Sequence, residues 1–313
     1  PSSYNPYGQN PEFAQLRRKH VLEEMSNAGF ITKEKANELI PEPVTIVNEK
    51  QQIIAPHFVF FIKDYLENEF GFQNFQRRGL TVKTTLDIKT QSMAEAIVKE
   101  EINKVLGLHI TNGSAEILDV KNGDILAMVG SKDYFAKDID GKYNVTTALR
   151  QPGSSIKPIN YLLAIKKGWT FSSTITDDPV TYLIPGQKPY SPKNYTGKYL
   201  GTVTLKTALG SSLNVPSVKL LVTNGVNNMI DLAEQMGITT WKERNRFGYS
   251  LALGSGEVKM TELSQAYSIF ANLGEKVKVS PILEIKNYLG EVIYKKTTEK
   301  TGVILPGEAF LIN

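Results

Sequence analysis

The chain has 313 residues, enough for two or three domains, and its 41% hydrophobic residues are enough for a sizeable core. Lys and Arg number 36 against 32 Asp and Glu, and the resulting net charge of +4 gives no argument for a nucleic-acid partner. The absence of cysteine excludes a disulfide framework, a thiolate nucleophile and a cysteine metal site, and the widely spaced His20, His57 and His109 support neither a metal pattern nor a Ser-His-Asp triad.

Residues 1–40 read as a proline-bounded loop and two helices. Phe13, Leu16, His20, Val21, Leu22 and Met25 keep a rough helical period that Gly29 closes, with Arg17, Arg18 and Lys19 as a solvated face. Thr32 is in place to cap the second helix, with Lys35 where a capping-box glutamate would stand. Residues 41–112 read as a small linker domain. Pro41, Pro43 and Pro56 mark an extended entry, and Phe60 to Phe70 follows as a helix. The most apolar short run, Phe58 to Ile62, is far below the length of a membrane span. Gly79 to Leu86 alternates as a strand, and Asp87 caps a helix running through Gln91, Ala94, Ile97, Val98 and Ile102.

Residues 113–313 hold the chemistry. Ser114 to Val120 and Asp124 to Val129 flank Lys121-Asn122-Gly123, a hairpin with an Asn-Gly turn. Next comes Arg150-Gln151-Pro152-Gly153-Ser154-Ser155-Ile156-Lys157-Pro158, with Ser-x-x-Lys at Ser154 and Lys157. Pro152 and Gly153 break the chain, and the apolar run from Ile156 to Ile165 predicts a helix opening near Ser154. Positions three apart share a helix face, so Ser154 and Lys157 would sit side by side. A serine hydroxyl is a poor nucleophile until a base takes its proton. A lysine can be that base once burial or a nearby cation lowers its pKa from roughly 10.4. The bland alternative makes Ser154 a helix cap and Lys157 a solvated side chain.

Further along, Gly210-Ser211-Ser212-Leu213-Asn214 contains Ser-x-Asn at Ser212 and Asn214. Gly254-Ser255-Gly256 lacks the Gly-Lys-Ser/Thr ending of a phosphate loop and reads as a tight turn before a helix. No cofactor is expected. Trp169 and Trp241 read as packing residues. Val279 to Lys286 and Glu291 to Tyr294 form a second strand pair across Leu289-Gly290. Two strands, a mainly helical middle and a closing strand pair predict an α+β fold with an antiparallel sheet.

Ser-x-x-Lys followed by Ser-x-Asn is the order used by serine acyl-transfer enzymes, which end the series with Lys-Thr-Gly. On these motifs, and on the blocks Asn194 to Tyr199, Val218 to Leu220 and Ser250 to Val258, the chain resembles a class A penicillin-binding protein over nearly its whole length. The resemblance implies the penicillin-binding and serine β-lactamase-like transpeptidase fold, with helices on the faces of the sheet and a helical subdomain. It implies D,D-transpeptidation of peptidoglycan stem peptides. Ser154 would be the nucleophile, Lys157 its base, and Ser212 a proton relay to the leaving amine. Asn214 would hold the substrate amide backbone and Lys157. The partners implied are D-Ala-D-Ala stem peptides with an amine acceptor, and β-lactam antibiotics acylating Ser154. Tyr195 and Gly197 would line the cleft or serve the core or a turn. Tyr4-Asn5-Pro6, Arg17 to Leu22 and Gly29 to Thr32 resemble the C-terminal tail of the family's glycosyltransferase domain, whose catalytic glutamates lie earlier, so glycan polymerisation is not expected of this chain. The family's membrane anchor is an N-terminal helix that this chain lacks, so the chain reads as a fragment of a protein on the extracytoplasmic face of the bacterial membrane.

Lys300-Thr301-Gly302 is present as text, but it follows a polar segment and precedes a helix start at Pro306. In the family that helix comes before the true Lys-Thr-Gly strand, so this copy is expected to be a decoy and the true strand to lie beyond Asn313. Two rival readings share the early motifs. A class A serine β-lactamase would need a glutamate-activated water, usually in Glu-x-x-Leu-Asn, which is not found after Asn214. A non-catalytic β-lactam sensor or scaffold would acylate without cross-linking.

Overall fold

A computed structural model describes residues 4–6, 10–42, 53–71, 79–184, 186 and 188–313. Two compact units emerge, Pro1–Ile53 and Ile54–Asn313. The first is built on α1 (Glu12–Asn27) and α2 (Lys33–Leu39). The Thr32 side chain accepts the Lys35 N–H at 3.2 Å, which satisfies one of the orphan donors at the start of α2. Arg18 ties the two helices by donating to the Leu39 carbonyl at 2.8 Å. Pro43 of the expected extended entry lies outside the described residues.

The second unit begins with α3 (Pro56–Phe70) and β1 (Thr81–Thr84), followed by α4 (Ile88–Lys104). Helix α3 starts at Pro56 rather than Phe60, because proline at the first helical turn gives up an N–H that has no partner there. Asp87 caps α4 by accepting the Thr90 N–H at 2.8 Å. The hairpin is β2 (Ala115–Asp119) and β3 (Asp124–Val129), paired antiparallel from Ala115↔Val129 to Asp119↔Asp124. After α5 (Lys157–Lys166) come β4 (Thr174–Asp177) and β5 (Gly201–Thr204), an antiparallel ribbon. Four helices follow: α6 (Leu205–Gly210), α7 (Asn214–Asn224), α8 (Val226–Met236) and α9 (Met260–Ala271). The chain closes with β6 (Glu275–Val277), β7 (Ile282–Lys286), β8 (Val292–Lys295), β9 (Lys300–Gly302) and α10 (Pro306–Ile312).

Strands β1, β7 and β8 make a three-stranded antiparallel sheet in that order, and β6 pairs with β9. The fold is α+β, with antiparallel pairing throughout the named strands. Within the second unit, residues 54–112 are joined to later parts of the chain. Their strand β1 pairs with β7, and Phe58, Ile62 and Leu66 of α3 share a core with Ile125, Met128, Ile282 and Ile285.

The larger core surrounds α5. Ile159, Leu162, Val218, Leu221, Met229 and Ile269 belong to it, each 0% exposed. A helix that is apolar on most sides has to be surrounded, and α5 is. Truncating Leu162 to alanine is expected to cost about 2–5 kcal/mol. Two buried amides fix α5 against α7. Asn160 Nδ2 donates to the Ser217 carbonyl at 2.8 Å, and Asn224 Nδ2 donates to the Asn160 carbonyl and Oδ1 at 2.9 Å each. That lock sets where Lys157, at the head of α5, meets the turn before α7. Among the described residues no helix is long and apolar enough to cross a membrane.

Candidate active site

The Pro152-Gly153 break shapes the first motif. Gly153 has φ +57°, a left-handed conformation that glycine adopts without penalty. The chain then makes a 3-10 turn, Gly153–Ile156, before α5 begins at Lys157. The expected helix thus opens three residues later than Ser154, although the Lys157 N–H still bonds the Ser154 carbonyl. Side chains at i and i+3 eclipse in a 3-10 turn, so the shared face of Ser154 and Lys157 survives. Ser154 is exposed, whereas Lys157 is 1% exposed. Among the described residues Ser154 Oγ makes no hydrogen bond. Its neighbour Ser155 turns away and donates to the Pro152 carbonyl at 2.7 Å.

A buried ammonium needs acceptors, and the second motif supplies them. Lys157 Nζ donates to the Ser212 carbonyl at 2.7 Å, to Asn214 Oδ1 at 2.8 Å, to Ser212 Oγ at 3.2 Å and to the Leu213 carbonyl at 3.3 Å. Ser212 reaches it with two atoms because its backbone is left-handed, φ +51°. A non-glycine residue held there costs on the order of 1–3 kcal/mol and persists where its surroundings fix it. Burial pushes the Lys157 ammonium down to about 8. Desolvation penalises the charged form, and the polar cage offsets only part of that penalty. The lowering expected from sequence is present, with burial rather than a neighbouring cation as its cause.

Two further residues build this turn and were not assigned roles from the sequence. Asn194 Oδ1 accepts the N–H groups of Asn214 at 2.8 Å and Val215 at 3.3 Å, capping α7. Asn194 is in turn held by the buried Asp177 of β4. Asn194 lay within the resembling text, but a lone Asn in a loop gives no sign that it caps a helix twenty residues on. Asp177 sat in a short Thr-rich stretch with no periodicity to flag it.

The block Ser250 to Val258 braces the first motif from another side. It holds a 3-10 turn, Tyr249–Leu253, ended by Gly254 at φ +82°. A Cβ on Gly254 would lie 2.2 Å from the Gly153 carbonyl oxygen, so only glycine permits this approach. Arg150 and Val258 exchange backbone hydrogen bonds at 3.0 and 2.9 Å, and Tyr267 Oη donates to the Ser155 carbonyl at 2.6 Å. The tight turn expected at Gly254 is therefore part of the site's frame. Tyr195 is fully exposed, and Gly197 forms a turn through its N–H to the Asn194 carbonyl at 3.0 Å. Trp241 is buried and donates to the Glu257 carbonyl, and Trp169 packs at the edge of a core cluster.

Lys300-Thr301-Gly302 behaves differently. It is the exposed strand β9, paired with β6, and Lys300 Nζ bonds Glu275 at 2.9 Å. Among the described residues none of the three bonds any of Ser154, Lys157, Ser212 or Asn214.

An exposed serine one turn ahead of a buried lysine with a lowered pKa, on an α+β scaffold, is an arrangement suited to serine acyl transfer. The family model for the penicillin binding protein transpeptidase domain matches residues 113–309. Penicillin-binding protein 2D of Bacillus subtilis (strain 168) is 33% identical over 318 residues, covering 99% of this chain and 45% of that protein. Penicillin-binding protein 1A of Aquifex aeolicus (strain VF5) is 29% identical over 381 residues, covering 96% of this chain and 51% of its own length. The crystal structure of penicillin-binding protein 1A from Haemophilus influenzae matches with a TM-score of 0.80 at 22% identity, covering 100% of this chain and 64% of that one. PonA1 from Mycobacterium tuberculosis in complex with penicillin V matches with a TM-score of 0.67 at 21% identity, covering 82% and 69%. The chain belongs to the penicillin-binding protein transpeptidase family. Its resemblance to the named 1A and 2D proteins makes it the transpeptidase portion of a class A member, and it spans about half the length of the curated relatives it matches.

Proposed function

We propose that this chain cross-links peptidoglycan stem peptides as a D,D-transpeptidase, through an acyl-enzyme on Ser154, and that β-lactams acylate the same hydroxyl. The observation that supports it most is the state of Lys157: 1% exposed, held by Ser212 and Asn214, with its proton released near pH 8, one turn from an exposed serine.

In the donor half-reaction Ser154 Oγ attacks the carbonyl of the penultimate D-alanine while its proton passes to neutral Lys157 Nζ. The peptide C–N bond breaks. The terminal D-alanine leaves as an amine, taking a proton relayed from Lys157 through Ser212 Oγ, which already lies 3.2 Å from Nζ. In the acceptor half-reaction the amine of a second stem peptide attacks the ester, and the proton it loses returns to Ser154 Oγ through the same groups. A β-lactam gives up its strained amide to Ser154 in the same way, and the leaving amine stays tethered. The Ser154 N–H opens its turn without a partner inside it and suits one side of an oxyanion hole. Asn214, through its amide, is the residue we assign to the substrate backbone as well as to Lys157.

By resemblance, residues 1–40 are the tail of a glycosyltransferase domain, and the whole protein works at the outer face of the bacterial membrane. The test is acyl-enzyme formation followed by cross-linking. A penicillin adduct on the Ser154 peptide, with cross-linked product from donor and acceptor stem peptides, supports the transpeptidase. Rapid release of penicilloate would favour a β-lactamase, and a stable adduct without cross-linking a sensor.

A further inference from the structure

Asp177 ends β4 with 0% exposure. A buried carboxylate persists where its oxygens are met by donors. Asn194 Nδ2 donates to Asp177 Oδ1 at 2.8 Å and Oδ2 at 2.9 Å, and the Leu200 N–H donates to Oδ2 at 2.9 Å. Nδ2 also reaches the Lys198 carbonyl at 2.9 Å. With its nitrogen committed to acceptors, the Asn194 amide can be oriented only one way, and its oxygen faces the start of α7. There it takes the Asn214 and Val215 N–H groups. Asn214 is fixed in its turn. Its Nδ2 donates to the carbonyl of Lys193, the residue beside Asn194, at 2.9 Å, which leaves Oδ1 for Lys157 Nζ at 2.8 Å. Each amide has one orientation that satisfies its neighbours, so the order runs unbroken from the carboxylate to the ammonium.

The surroundings fit an anchor. Lys219 ties down β4 by donating to the Thr176 carbonyl at 2.8 Å and by pairing with Asp178. Among the described residues the buried Tyr161 hydroxyl has no hydrogen-bond partner, and burial together with the Asp177 charge keeps its proton on.

We propose that Asp177 is a positioning residue for acylation: by orienting the Asn194 amide it sets Asn214, and through Asn214 it aims Lys157 Nζ. The inference rests on the reading of Ser154 and Lys157 as nucleophile and base.

The experiment measures acylation of the full-length protein by a fluorescent penicillin over roughly pH 6 to 10, for wild type, Asp177→Asn, and the double variant Asp177→Asn with Asn194→Asp. In the single variant an NH2 group replaces one carboxylate oxygen and meets donors. Its plateau rate is expected to fall about tenfold or more. Its pH midpoint is expected to drop, because Lys157 loses a well-placed acceptor for its ammonium. In the double variant the carboxylate introduced at 194 accepts from that NH2 group and still takes the two N–H groups of α7, while the Lys198 carbonyl loses its donor, so rate and midpoint recover in part. Wild-type rate and midpoint in the single variant would overturn the inference, as would a loss that the folded double variant does not recover. If the single variant does not fold, the double variant at a wild-type melting temperature decides: recovered acylation supports the inference and lost acylation overturns it. A wild-type protein that forms no adduct would overturn the acyl-enzyme reading itself, and the inference with it.

Discussion

Lys157 is 1% exposed and its ammonium is shared among oxygens of Ser212, Leu213 and Asn214. Lys300 is about half exposed and pairs with Glu275 on the edge of a two-stranded ribbon. Both lysines stand in short texts that serine acyl-transfer enzymes use. The fold buries the first, which lowers its pKa, and surrounds it with oriented acceptors, which aim it. It gives the second a solvated ion pair with Glu275 and, among the described residues, no buried acceptors. A motif acquires its meaning from desolvation and partners, not from spelling.

The largest way to break this contrast is Lys157→Ala. Loss of a positioned general base typically costs 10²–10⁴-fold, and penicillin acylation should fall by about that much. A loss of less than about tenfold would remove Lys157 from the role of base. Asn214→Ala comes next. It deletes one acceptor of a buried ammonium, an interaction worth about 1.5–3 kcal/mol, and acylation should fall roughly 10- to 100-fold.

The pH dependence sharpens the same contrast. Lys157 must be neutral to accept a proton, so acylation should rise with pH through a midpoint near 8, where burial places its titration. A midpoint near the ordinary lysine value would contradict the buried cage. Folding stability follows with a definite sign. Because the folded state releases this proton at lower pH than the unfolded chain, the unfolded state binds more protons between about 8 and 10.5, and stability rises with pH across that window. The smallest effect belongs to Lys300→Ala. An exposed ion pair contributes about 0–1 kcal/mol, so the melting temperature should scarcely move and acylation should stay at the wild-type rate. A large loss of acylation in this variant would put β9 in the site.

Much of this was legible in the sequence where the signal is local. The Asn-Gly turn at Asn122-Gly123 gave the β2–β3 hairpin, and Asp87 and Thr32 gave helix starts, because turn and cap chemistry act within a few residues. Ser154, Lys157, Ser212 and Asn214 could be named from two motifs, and the last three meet in the structure. What stayed hidden depends on distant pairing. Strand β1 finds β7 about two hundred residues later, so the 41–112 segment looked separable when from Ile54 onward it belongs to the second unit. The β4–β5 ribbon is short and Thr-rich, with no apolar alternation to announce it. Asp177 and Asn194 matter only because that ribbon and the following loop bring them to the start of α7.

The central claim is that Ser154 forms a covalent acyl-enzyme. Intact-mass and peptide-mapping mass spectrometry after incubation with penicillin, on the full-length protein beside Ser154→Ala, tests it most directly. The account predicts a stable adduct of one penicillin on the peptide that holds Ser154, absent from the variant. No adduct, or an adduct of equal yield in Ser154→Ala, would contradict it.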